Sequence, residues 1–191
     1  ASVLAMAPFF LSPVLLATLP MLVWLIDGAV QRSRDAAADR TWRRWLPAAA
    51  VGWCFGFGYF AAGLFWIGEA FLVEAEIFAW LLPFAVTLMP AGLAIFLAGA
   101  TAAAARFWRP GLTRVVVLAL ALSAAEWLRG HVLTGFPWNI IGYALTTSLP
   151  LMQSAALVGI YGLTLAAVLV FAMPLVHLAD AATGDEGRRR R

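Results

Sequence analysis

The chain has 191 residues, of which 63% are hydrophobic and only 12% charged, and its mean hydropathy is +0.88. A soluble domain of this length needs a polar surface that this composition cannot supply, so the sequence reads as a helical membrane domain, with about 20 apolar residues per span. The net charge of +3 comes from thirteen arginines and no lysine, in short clusters between apolar runs, which argues against a nucleic-acid-binding face.

Residues 1–6 read as the end of a truncated first helix, and Pro8 and Pro13 bracket a turn containing Phe9 and Phe10. An apolar run over 14–26 follows, short for a span, and Asp27 is expected to stop it. Residues 28–46 form a polar loop carrying Arg32, Arg34, Arg40, Arg43 and Arg44. The next span covers 47–67, followed by an acidic loop with Glu69, Glu74 and Glu76. A longer span over 77–105 contains Pro83 and Pro90, which are expected to kink it. Arg106, Arg109 and Arg114 mark a second basic turn. Spans over 113–130 and 152–178 complete an all-α integral membrane fold, a polytopic bundle of about five to six transmembrane helices. Ala1 at the start and Arg188 to Arg191 at the end read as the limits of a piece of a longer protein, with no signal peptide.

If the spans alternate, twelve of the thirteen arginines fall on one side and Arg129 alone on the other. Positive residues in short loops stay cytoplasmic, so residues 126–150 are expected to face outward from a bacterial cytoplasmic membrane. Trp42, Trp45 and Trp108 then fall at the inner boundary and Trp66, Trp80, Trp127 and Trp138 near the outer one, as headgroup-level anchors. Gly52, Gly56 and Gly63 mark a face for close helix packing, and Gly159 and Gly162 are expected to do the same in the last span.

The chemistry-bearing stretch is Glu126-Trp-Leu-Arg129-Gly-His131 and the Gly-Phe-Pro-Trp-Asn turn after it. Glu126 and Arg129 share a helical face and are expected to pair, because a paired charge near hydrocarbon costs less than a lone one. Gly135, Pro137 and Gly142 break the segment that follows, which suits the outer interface beside a cavity. Candidate substrate-binding residues are therefore Glu126, Arg129, Trp138, Asn139, Tyr143 and Gln153, with Arg129 a candidate partner for a phosphate headgroup. His131 and His177 fall near opposite faces, so no metal site is expected; Cys54 lies in an apolar run and reads as packing. No cofactor is expected.

In order along the chain, GWCFGFGYFAAGLFWI, EWLRGHVLTGFPWNIIGYA and LPLMQSAALVGIYGL resemble the membrane half of the bacterial apolipoprotein N-acyltransferase family, the EWLRG…GFPW block most specifically. The resemblance implies an acyltransferase that moves an acyl chain from a phospholipid donor to the α-amine of a diacylated lipoprotein acceptor. The family's thioester chemistry belongs to a nitrilase-like domain with a Glu, a Lys and a Cys. This chain has no lysine, so no catalytic residue is carried over and that domain is expected after residue 191. Two other readings stay open at this point: an anchor for a polyprenyl-phosphate mannose synthase, or a non-catalytic scaffold. A transporter fits poorly, since the span centres are almost wholly apolar.

Overall fold

The computed structural model describes residues 1–35 and 44–189, with side chains to residue 182; Arg40, Trp42 and Arg43 lie outside the described residues. Every element among the described residues is helical. After short 3-10 turns over Ser2–Ala5 and Ser12–Val14, α1 runs Leu15–Asp35 and α2 Leu46–Gly63. Residues 65–81 form short turns around a one-turn helix, α3 (Ala75–Phe78). The long helices α4 (Leu82–Arg106), α5 (Thr113–His131) and α6 (Leu149–Arg189) follow, with a 3-10 turn over Ile141–Leu145 before the last.

The five long helices close a ring in the order α1, α2, α4, α5, α6 and back to α1. Small residues set the tightest contact. A Cβ on Gly56 would sit 3.1 Å from the Ala94 Cα, and one on Gly52 would lie 2.6 Å from the Leu97 carbonyl oxygen, so α2 lies almost backbone to backbone on α4. The Thr101 hydroxyl crosses the same seam to donate to the Ala48 carbonyl at 2.8 Å. The outer surface is greasy, with Met21, Phe84, Leu88, Ile95, Leu157 and Leu178 exposed. Such a surface belongs against lipid rather than water. The stretches Ser12–Asp35, Leu46–Gly63, Ala75–Arg106 and Leu149–Ala182 are each long and apolar enough to cross a membrane.

Four details depart from the sequence expectation. α1 continues eight residues past Asp27, because that carboxylate is not left facing hydrocarbon. It accepts the Trp108 indole N–H at 2.7 Å and lies 3.4 Å from Arg114 of α5. Trp108 is therefore buried in the bundle rather than anchored at a headgroup. Gly159 does not pack against a neighbour. With φ of +69° it is the hinge at which α6 kinks, a conformation glycine reaches without a Cβ penalty. Cys54 is exposed on the outward face of α2.

Candidate functional site

The site grows out of α5. Val115, Leu118, Ala119 and Leu122 recur at helical spacing and are buried, and the same face continues into Glu126 and Arg129. Those two side chains are 2% and 1% exposed. Their expected mutual ion pair does not form; each reaches instead into the segment that follows the helix. Arg129 Nη1 donates to the Phe136 carbonyl and, at 2.7 Å, to the Trp138 carbonyl, while the Phe136 N–H returns to the Arg129 carbonyl at 2.9 Å. Its guanidinium lies 4.9 Å from the centre of the Phe60 ring of α2. Glu126 accepts the Ile141 N–H at 2.8 Å and a hydrogen bond from the Thr164 hydroxyl, and Thr164 accepts the Gly142 N–H at 3.0 Å.

The base thus holds the near part of the broken segment and the acid its far end. Backbone between helices in a membrane protein needs such partners, since lipid offers none. The segment also includes left-handed backbone at Leu133, Gly135 and Asn139, with φ of 58°, 73° and 52°. Non-glycine residues adopt that region only when surrounding contacts impose it.

The held segment forms one wall of a cavity of about 530 Å³, within the range of roughly 300–1,000 Å³ typical of ligand pockets. Trp138, Asn139 and Tyr143 line it, facing Met6 and Phe9 from the N-terminal segment and Gly63 and Trp66 from the end of α2 and beyond. Trp66 and Trp138 meet with ring centres 5.6 Å apart. Gly63 leaves room for its neighbour, since a Cβ there would force the Asn139 amide to shift. Burial raises the Tyr143 phenol above its ordinary pKa, and its hydroxyl donates to the Pro137 carbonyl at 3.4 Å.

Three of the six sequence-predicted residues therefore share one cavity. Glu126 and Arg129 sit behind its wall, too buried as they stand to meet a headgroup. Gln153 is exposed on α6 and does not line the cavity. His131 stacks on Trp127, ring centres 4.6 Å apart. Sequence reasoning missed Thr164, a buried hydroxyl whose signal was its place among the few polar residues of an apolar span. It also missed Tyr59, whose buried hydroxyl has no hydrogen-bond partner, as is true of Arg129 Nε and Nη2.

The family profile described as the apolipoprotein N-acyltransferase N-terminal domain matches residues 1–173. The chain belongs to the apolipoprotein N-acyltransferase family. Proteins named apolipoprotein N-acyltransferase resemble it closely: 54% identity over 98% of this chain in Rhodopseudomonas palustris, 56% over 91% in Bradyrhizobium diazoefficiens and 52% over 86% in Brucella suis. The chain spans about a third of the length of these relatives, 33%, 31% and 31% respectively. In this domain the cavity offers apolar enclosure with two indoles, an amide and a phenol in its wall. That set can hold and orient a lipid, and it contains no strong nucleophile.

Proposed function

We propose that the domain is the membrane portion of an enzyme that transfers an acyl chain from a phospholipid to the α-amine of the diacylglyceryl cysteine of a bacterial lipoprotein. The observation that carries this reading is the apolar cavity beside the loop held by Glu126 and Arg129, in a chain of this family. Its 530 Å³ takes an acyl chain from the side, and Trp138, Asn139 and Tyr143 touch the substrate there. Glu126 and Arg129 act through the loop, keeping that wall in place. The family resemblance implies a thioester step carried by a Glu, a Lys and a Cys; this chain has no lysine, so the covalent chemistry falls to a catalytic domain elsewhere in the full-length protein.

The proposed location is the bacterial cytoplasmic membrane. In support, Arg34, Arg44 and Arg106 gather at one end of the bundle and the cavity lies at the other, the layout expected if the arginine end is cytoplasmic.

Filling the cavity tests the reading. Ala62 lines it without bonding to the loop, so Ala62→Trp removes space and leaves the clasp intact. In the full-length protein, acyl transfer from phospholipid to a diacylated lipopeptide is expected to fall at least about tenfold, or about 1.4 kcal/mol, at unchanged thermal stability. A rate equal to wild type with the cavity filled overturns the acyl-holding role.

A further inference from the structure

A second cavity, of about 250 Å³, opens at the opposite end of the bundle. Three arginines from three chain segments converge on it: Arg34 in the last turn of α1, Arg44 just before α2, and Arg106 in the last turn of α4. Val30 and Ser33 line it as buried residues, and Trp45 is half-buried in its wall. Among the described residues the ion pairs are those of Arg114 with Asp27 and Asp180, and no carboxylate lies within pairing distance of Arg34, Arg44 or Arg106. Arg34 Nη2 donates to the Trp108 carbonyl at 3.3 Å, which fixes its direction without cancelling its charge.

Arginines at helix C-termini are favoured by the local carbonyls, and that alone accounts for a solvated basic face. It does not account for three guanidinium groups brought to one recess with an apolar base and an indole beside it. Guanidinium forks match the oxygens of a phosphate, and tryptophan sits at the depth where a lipid headgroup meets its acyl chains. We infer that Arg34, Arg44 and Arg106 form a binding site for a phosphate group carried by an anionic phospholipid, separate from the acyl cavity at the other end. The lipid's phosphodiester oxygens accept from the guanidinium groups, and its glycerol and chains follow the apolar side of α1 and α2.

The test uses the full-length protein reconstituted in nanodiscs of equal phosphatidylglycerol and phosphatidylcholine, then transferred to detergent, with retained lipid counted by native mass spectrometry. Wild type is expected to retain phosphatidylglycerol preferentially. Arg44→Gln with Arg106→Gln is expected to lower that retention at least about tenfold. Arg32→Gln serves as the control, since Arg32 bonds to Gly28 of its own helix at 3.1 Å and does not line the cavity. Arg44→Gln alone is the second variant, because among the described residues the exposed Arg44 side chain makes no hydrogen bond or ion pair that holds the bundle together. Equal retention of the two lipids, or retention unchanged in both variants, overturns the site. Displacement of the lipid by millimolar inorganic phosphate overturns the lipid as the source and assigns the arginines to a soluble anion. None of these readouts depends on acyl transfer, so the site stands or falls independently of the proposed activity.

Discussion

The two ends of the bundle treat buried charge in opposite ways. At the cavity end, Glu126 and Arg129 pass each other by and bond to backbone. At the arginine end, Arg114 bonds to Asp180 at 2.7 Å and lies 3.4 Å from Asp27, joining three helices through side chains alone. The connections explain the contrast. Between α5 and the 3-10 turn at Ile141–Leu145 the chain spends nine residues, 132–140, outside any helix, and its N–H and C=O groups need partners that lipid cannot supply. Between α4 and α5 the turn is short, and Asp27 and Asp180 are about a third exposed (35% and 36%), so Arg114 and the Trp108 indole meet charges that are not fully buried. Buried charge replaces missing helix hydrogen bonds at one end and ties finished helices together at the other.

That contrast can be broken by substitution, and the largest effect belongs to the acid behind the cavity. Glu126→Ala leaves the Ile141 N–H and the Thr164 hydroxyl without their acceptor and is expected to cost about 3 kcal/mol or more, read as thermal unfolding in detergent. Glu126→Gln keeps an acceptor for Ile141 and is expected to cost roughly half as much. If the two variants unfold alike, Glu126 matters for its charge and not for holding the backbone.

Thr164→Val comes next. It removes the acceptor of the Gly142 N–H and is expected to cost about 1–2 kcal/mol by the same measurement. An unchanged midpoint would show that the Ile141–Leu145 turn is held without α6. The smallest effect is expected at the other end. Arg114→Gln should cost about 1 kcal/mol, because both acids can hydrate once released, and high salt should shrink the difference. A loss as large as that of Glu126→Ala would erase the distinction between the two ends.

Composition and periodicity made the all-helical membrane fold legible, since a chain this apolar has no other solvent than lipid and itself. The glycines four apart announced a close-packing face on α2, though not that α4 would fill it, and Gly135 and Pro137 announced a broken segment after α5. Cavity residues Trp138, Asn139 and Tyr143 could be named from that break alone. What each charge does was decided only in three dimensions. Glu126 and Arg129 stand three apart, the spacing of a helical ion pair, yet their partners are Thr164, 38 positions on from Glu126, and carbonyls seven and nine positions on from Arg129. Asp27 looked like a helix stop and became an interior acceptor for Trp108, 81 positions away. Hydropathy is a property of each residue and survives in the sequence. Hydrogen-bond satisfaction depends on which backbone groups the packed helices bring within about 3 Å, and no local pattern encodes that.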